Sequence, residues 1–322
     1  MNIDKAILKN YKHLQEVVRC AVLHGKGKRN VDIANKLNMA PVRVTRNLQE
    51  AIERGIIRIE VHPLPEVEIA EKFKQVYGLK EAYVFPIGID EEITDILAKL
   101  SATYLEKLLD DEEQNIKSVA IGAGRTPLSF VRALSSKRRP NLKVSPMSFA
   151  TVVETYMASN ILIGIPAGKW ECELHRFDPE MSVEEQRNYA DIFVFGIEKI
   201  PDMDSVTALA LLSEAVGIDK SELSRELSRL HGRGGIAIIN YQPIDEDGKP
   251  LDWDLEGYKI YLEPTVMKLD MIRQIAKDGK RVICIAGGED KVRAIKAGLR
   301  GKYFNILITD YETAKSLLDS VK

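Results

Sequence analysis

Two stretches of this chain combine glycine with cations in a way suited to holding an anion. Ile121-Gly122-Ala123-Gly124-Arg125-Thr126-Pro127 follows one apolar run, and Ala286-Gly287-Gly288-Glu289-Asp290-Lys291 follows another. A glycine-rich turn from a buried strand into a helix lets backbone N–H groups approach a ligand, and the helix N-terminus favours negative charge. Gly122, Gly124, Gly287 and Gly288 are the points of approach, while Arg125 and Thr126 carry side chains suited to phosphate oxygens. Lys291 falls in a first helical turn, where the dipole gives a cation no support, so a bound anion would explain it. Neither stretch has the spacing of a dinucleotide fingerprint or a P-loop lysine. A tight connection and a snorkelling surface lysine would explain the same residues without a ligand.

A third group lies near the N-terminus. Arg43, Thr45, Arg46 and Gln49 are residue types that reach base edges and phosphates, and the loop before them carries Lys28 and Arg29. Arginine pairs with guanine, glutamine with adenine, and threonine meets a thymine methyl group or a phosphate. The plain alternative is a three-helix domain with a polar outer face.

The elements that must position these residues follow from periodicity. Leu14, Val17, Val18, Ala21 and Val22 repeat at helical spacing and predict a first helix. Ile33, Ala34 and Leu37 form the inner face of a short second helix, Asn38-Met39-Ala40 the turn, and Pro41 the first position of a third. In that third helix Val44, Leu48, Ala51 and Ile52 face inward, leaving Arg43, Thr45, Arg46, Asn47 and Gln49 outward. Gly55 stops it, and 56–61 reads as extended, which gives the layout of a winged helix-turn-helix. His62-Pro63-Leu64-Pro65 reads as a stiff linker. The expected division is therefore a DNA-binding domain over 1–62 and a second domain over 63–322.

Beyond the linker, apolar strands alternate with amphipathic helices: strand 82–87, helix 91–109, strand 117–122, helix 127–135, strand 142–147. Further strands are expected at 191–197, 235–241, 281–286 and 304–309. The runs at 119–121, 192–195, 282–286 and 306–308 are continuously apolar, as in strands covered on both faces, so the fold class is α/β with a mostly parallel, Rossmann-like sheet. Two anion-friendly turns at the C-terminal ends of such strands describe the ligand crevice of an open α/β sheet, and a small phosphorylated ligand suits it.

Charge separates the same two regions. Residues 1–62 hold 12 Lys and Arg against 6 Asp and Glu, a net of +6, so with the whole chain at −2 the remainder carries −8. A basic head on an acidic body suits a polyanion partner for the head alone. No run of 18 apolar residues predicts a membrane span, and the N-terminus lacks signal-peptide layout, so a cytoplasmic protein is expected. Cys20, Cys172 and Cys284 are widely spaced and lack metal-ligand spacing, which reads as buried free thiols and no metal site. No cofactor is implied.

The chain resembles the SorC family of bacterial sugar-responsive transcriptional regulators. The resemblance is carried by Ile33-Ala34…Leu37…Val44-Thr45-Arg46…Ala51…Gly55-Ile56-Ile57-Arg58-Ile59, the Gly122–Thr126 loop and the Asp245-Glu246-Asp247-Gly248-Lys249 turn. Its most specific part is Ala286-Gly287-Gly288…Lys291…Ala294-Ile295…Leu299-Arg300-Gly301…Leu307-Ile308-Thr309-Asp310…Ala314. It implies a C-terminal sugar-binding domain related in fold to sugar-phosphate isomerases and deaminases, phosphorylated sugar effectors, and homo-tetramers or dimers on double-stranded operator DNA. It places the Gly122–Thr126 loop and Lys291 at the effector, with Asp245 as a further candidate. Three positions depart from the family's usual pattern. A serine usually starts the recognition helix where this chain has Ala40-Pro41. Gly196-Ile197-Glu198 stands where relatives tend to read Gly-Ile-Gly, and Ala237-Ile238 where they often carry Gly-Asp.

Two rival readings follow from the same body. An isomerase- or deaminase-like enzyme would need a general base with a tuned pKa beside the sugar. Asp245, Asp247, Glu289 and Asp310 qualify by type, yet turn and cap roles explain all four. His175 and His231 are lone histidines. A regulator with a degenerate, empty pocket is the other rival, and the expectation remains a non-enzymatic, allosteric regulator.

Overall fold

The structure, a computed structural model, describes residues 2–57, 64–87, 92–148, 158–178, 180–201, 219–256 and 258–320. The chain divides into two compact units, residues 1–62 and 63–322.

The first unit holds three helices, α1 (Asn2–Gly25), α2 (Asn30–Leu37) and α3 (Pro41–Glu53). Its core joins Val17, Cys20 and Ala21 of α1 to Ile33 and Ala34 of α2 and to Val44, Leu48 and Ala51 of α3. The α1 stripe is narrower than its apolar pattern: Leu14, Val18 and Val22 stay exposed because α1 packs on α2 and α3 along one side only. On α3, Asn47 is buried where the pattern had it outward, and Ile52 is exposed where the pattern had it inward. Positions 44, 47, 48 and 51 form the i, i+3, i+4, i+7 stripe, and the Asn47 amide reaches Cys20 Sγ at 3.6 Å. Asn38 in left-handed geometry closes α2, with the Met39 N–H on the Ala34 carbonyl at 3.0 Å. Ala40 precedes α3 in extended geometry with no side-chain cap, and Pro41 opens the helix. The extended segment expected over 56–61 lies outside the described residues from 58 onward, as do linker residues 62 and 63.

The second unit alternates helix and strand: α4 (Val67–Tyr77), β1 (Glu81–Phe85), α5 (Ile93–Asp110), β2 (Ser118–Ile121), α6 (Arg125–Ala133) and β3 (Lys143–Pro146). It continues with α7 (Ser159–Leu162), α8 (Gly164–Trp170), β4 (Glu173–Leu174), α9 (Val183–Arg187), β5 (Ile192–Gly196) and β6 (Glu198–Lys199). The last part holds α10 (Lys220–Gly232), β7 (Gly235–Ile239), β8 (Gln242–Asp245), α11 (Leu269–Lys277), β9 (Arg281–Ile285), α12 (Val292–Gly301), β10 (Ile306–Asp310) and α13 (Tyr311–Asp319).

Seven strands form one parallel sheet in the order β1-β10-β9-β5-β2-β3-β4. Successive residues of a strand face opposite sides, so the sheet has two cores. Phe193, Phe195, Val282, Cys284 and Leu307 meet Phe73, Ile272, Ile275, Ile295 and Leu317 on one side. Ile192, Val194, Ile283, Ile285 and Ile306 meet Leu97, Leu105, Leu128, Val131 and Trp170 on the other. Burial of each such side chain contributes about 1.5–3 kcal/mol. That double coverage is why these strands read as unbroken apolar runs.

The strand expected at 235–241 forms, but outside this sheet. Residues 235–239 are the middle strand of a separate antiparallel sheet, β6-β7-β8. Their alternating burial, with Ile236 and Ile238 half covered, fits a two-faced antiparallel position. Cys20 and Cys284 are buried, Cys172 is partly buried, and all three are free thiols. Among the described residues no helix is long and apolar enough to cross a membrane.

Candidate functional site

From β2 the chain moves outward to β3 and β4, then returns to the opposite side of β2 as β5 before stepping to β9. The reversal places β2, β5 and β9 side by side. The connections leaving their C-terminal ends diverge there, which opens a crevice in sheets of this kind. Those connections are residues 122–124, 196–197 and 286–288, so the two glycine-rich turns flank the short β5–β6 link.

The four glycines of the two turns divide by role. Gly124 (φ 114°) and Gly288 (φ 102°) adopt backbone conformations that L side chains rarely take. Gly122 and Gly287 are held by packing: a Cβ on Gly122 would lie 2.9 Å from Phe195 Cβ, and one on Gly287 2.3 Å from Asp310 Oδ2. At Gly196 a Cβ would lie 3.0 Å from Thr126 Cβ, so the β2 and β5 exits are pressed together. Thr126, in the first turn of α6, is itself buried.

The β9 turn is fastened from behind. Buried Asp310, at the end of β10, accepts the Gly288 N–H at 2.9 Å, the Thr313 N–H at 2.9 Å and the Thr313 hydroxyl at 2.6 Å. The carboxylate that could have served as a base is therefore engaged as the N-cap of α13 and the anchor of the turn.

Lys291 and Arg125, from the two turns, converge on one carboxylate. Glu198 accepts Arg125 Nη2 on Oε1 at 2.6 Å and Lys291 Nζ on Oε2 at 3.0 Å. Lys291 is nearly enclosed, its side chain 8% exposed, whereas Glu198 is 40% and Arg125 61% exposed. Burial pushes the Cys284 thiol up, partly opposed by the neighbouring Lys291 charge. Glu198 lies opposite Ile238 in the β6–β7 pairing, so two departures from the family pattern are cross-strand neighbours. Ile238 and Ala123 pack against a small core of Ile200, Leu223, Leu227, Tyr241 and Trp253.

Asp245 stands apart from this cluster. Its Oδ1 accepts the backbone N–H groups of Asp247 (3.0 Å) and Lys249 (2.8 Å). That turn packs against the far end of α12: Tyr303 Oη donates to the Gly248 carbonyl, and Arg300 to that of Glu246. Lys291 immediately precedes α12, so the two lie roughly 10–15 Å apart along the helix axis. Glu198 was visible in the sequence as a departure, yet nothing local showed that it would meet both cations. Gly196 carried no signal, since the close approach it permits is set by sheet order.

In the three-helix unit, Arg43, Thr45, Arg46 and Gln49 all lie exposed on α3, and Lys28 and Arg29 lie exposed in the loop before α2. Arg43 pairs with Glu16 at 2.5 Å and Arg29 with Asp32 at 3.0 Å. Arg29 beside it holds the Asp32 carboxyl below its ordinary range. Thr45 Oγ1 donates to the Pro41 carbonyl at 3.3 Å, and Gln49 to Glu53 at 3.3 Å. His13 and Arg54 hold Glu50 below the usual carboxylate range. Among the described residues Arg46 has no ion-pair partner. No group of three His, Cys, Asp or Glu among the described residues could hold a metal ion.

A parallel α/β sheet with a strand-order reversal between β2 and β5, preceded by a basic three-helix unit, defines the class: a doubly wound α/β protein with a helical head. Residues 62–319 match the model of the family named "Putative sugar-binding domain", and the chain belongs to that family. Along 309 residues it is 25% identical to the deoxyribonucleoside regulator of Bacillus subtilis, covering 90% of this chain and 92% of that protein. It is 26% identical over 304 residues to the transcriptional regulator LsrR of Klebsiella pneumoniae, covering 89% and 87%. In fold it is similar to the full-length sorbitol operon regulator SorC from Klebsiella pneumoniae, with a TM-score of 0.67 at 21% identity over 94% of this chain and 97% of that one. A DeoR family transcriptional regulator from Listeria monocytogenes matches 78% of this chain and 98% of its own, with a TM-score of 0.60 at 17% identity.

Proposed function

We propose that this chain is a DNA-binding transcriptional regulator whose α/β unit senses a small sugar and adjusts operator affinity, without catalysing a reaction. The observation that carries this reading is the span of the regulator matches: 90% of this chain against 92% of the Bacillus subtilis relative, which takes in both units. In this reading residues 1–62 are the DNA-binding domain, a helix-turn-helix with α3 in the major groove. Residues 63–322 are the effector and oligomerisation domain.

Arg43 and Arg29 exchange exposed intramolecular ion pairs for phosphates. Such pairs are worth about 0–1 kcal/mol, so the exchange costs little. Arg46 enters already free and is the residue placed to read a base, with Thr45 and Gln49 beside it. In the crevice, a sugar sits among Thr126, the Gly122–Gly124 and Gly287–Gly288 turns and the Lys291 side. Asp310 takes no chemical role, because the Gly288 and Thr313 N–H groups and the Thr313 hydroxyl engage both of its oxygens, and Asp245 spends Oδ1 within its own turn. A homodimer or tetramer pairs two heads on two half-sites, and the sugar changes their simultaneous contact. The coupling equals the sugar's differential affinity for the two states.

The test is selection of a duplex from a random library, followed by fluorescence anisotropy with wild type and Arg46→Ala. The substitution is expected to weaken the selected duplex by about 1–3 kcal/mol and to relax preference at one base pair. Equal affinity and equal preference in both proteins would overturn the groove assignment.

A further inference from the structure

We propose that Glu198 occupies, from within the chain, the seat that an anionic group of a ligand would take between Arg125 and Lys291, so that this crevice accepts an uncharged sugar instead of a sugar phosphate. The inference rests on the sugar-sensing reading above and narrows it.

Geometry carries the first part. The two oxygens of Glu198 divide between the two cations, Oε1 on Arg125 at 2.6 Å and Oε2 on Lys291 at 3.0 Å. A phosphate bridging the same two turns would use its oxygens in the same way. Glu198 does not swing in from a flexible loop. Its backbone pairs with β7, opposite Ile238, which fixes it at the exit of the strand lying between β2 and β9.

Charge carries the second part. Arg125 and Lys291 together supply two positive charges, a match for a phosphate monoester of nearly two negative charges. With Glu198 in place the cluster is left with a single net positive charge, and a phosphate would also face a fixed carboxylate. Lys291 strengthens the point, because a nearly enclosed ammonium group needs a permanent partner and already has one. Ile238 beside Glu198 gives the pair an apolar flank on that side. The Gly122 and Gly288 N–H groups are already engaged, on the Val194 carbonyl and on Asp310, so what remains for a ligand is the other N–H groups of the turns, which suit hydroxyl groups.

The experiment compares wild type with Glu198→Gly and Glu198→Gln in the full chain, titrated with inorganic phosphate against potassium chloride at matched ionic strength. Calorimetry and thermal shift serve as the readouts. Glu198→Gly is expected to bind phosphate at least tenfold more tightly than wild type, and the gain is expected to vanish when Arg125→Ala is added. Glu198→Gln keeps the side chain in the seat while removing its charge, so it reports the charge part of the gain, a smaller one, if the glycine variant folds poorly. Wild type binding phosphate as tightly as both variants would overturn the inference. So would a sugar phosphate that binds wild type ten times more tightly than its free sugar, although that result leaves the sugar-sensing reading intact. Conversely, a gain of phosphate binding in the variants with no response of wild type to any sugar upholds the filled seat and counts against sugar sensing.

Discussion

Removing the Asp310 carboxylate tests whether the β9 turn is held from behind by this one side chain. The group is 3% exposed and accepts the Gly288 N–H, the Thr313 N–H and the Thr313 hydroxyl. In Asp310→Ala, α13 loses its N-cap, worth about 1 kcal/mol. The Gly288 N–H keeps only its 2.8 Å contact to Thr313 Oγ1, while the lost bond to a charged acceptor is worth about 1.5–3 kcal/mol. Because one side chain provides both, the expected cost is about 2.5–4 kcal/mol. At about 2–4 °C per kcal/mol for a unit of this size, the melting temperature falls by about 5–16 °C. Asp310→Asn can still cap Thr313 but turns a donor toward Gly288, so it recovers no more than about 1 kcal/mol of the loss. Thermal and urea denaturation followed by circular dichroism measure these differences. A Tm for Asp310→Ala within about 2 °C of wild type would refute the claim that this carboxylate fastens the turn.

Three further outcomes follow from the structure. Gly287→Ala places a Cβ 2.3 Å from Asp310 Oδ2 and 2.7 Å from Leu97 Cδ1, so urea denaturation should show a loss of about 1–3 kcal/mol. An unchanged midpoint would mean that the turn has room the geometry denies. Ala40→Ser adds an N-cap oxygen at a residue already in capping geometry (φ −68°, ψ 142°), so α3 amides should exchange more slowly, by about 0.5–1 kcal/mol of local opening energy. Faster exchange would contradict that. Burial, with the Glu81 contact, pushes Tyr83 up to about 12, and burial moves Tyr104, Tyr189, Tyr241 and Tyr258 further upward. Their folded values exceed the ordinary tyrosine value near 10, so the stability they contribute is whole below pH ~10 and is lost as pH rises through the folded values. Absorbance at 295 nm should show these tyrosines ionising only as far-UV dichroism is lost. A single midpoint near pH 10 in the still-folded protein would refute it.

Much of the architecture was readable because it depends on local periodicity. The apolar runs at 192–195, 282–286 and 306–308 announced strands covered on both faces, and β5, β9 and β10 stand where those runs fall. The strand expected at 235–241 forms as β7, while the sheet it joins depends on pairing with Glu198–Lys199 and Gln242–Asp245. No local pattern encodes that choice. Asn47 shows the limit within a helix, where residue type suggested an outward side chain and helical phase put it inside against Cys20.

The crevice shows the same division. Glycine turns after buried strands were legible, as were Arg125 and Lys291 as candidate cations. Their convergence on Glu198 was not, because it arises from β5 lying between β2 and β9 in a strand order that the sequence does not spell out. Asp245 was carried by resemblance alone. Its oxygen is engaged within its own turn, against the far end of α12.

The most direct test of the account is operator affinity measured with and without sugar. The full chain is titrated onto a selected, labelled duplex by anisotropy at fixed salt, against a panel of free sugars and their phosphates. A sugar that raises the thermal stability of the protein should also shift duplex affinity, by about 5–150-fold for couplings of ordinary size. A sugar that stabilises the protein and leaves duplex affinity unchanged, or a chain that binds every duplex equally, would contradict it.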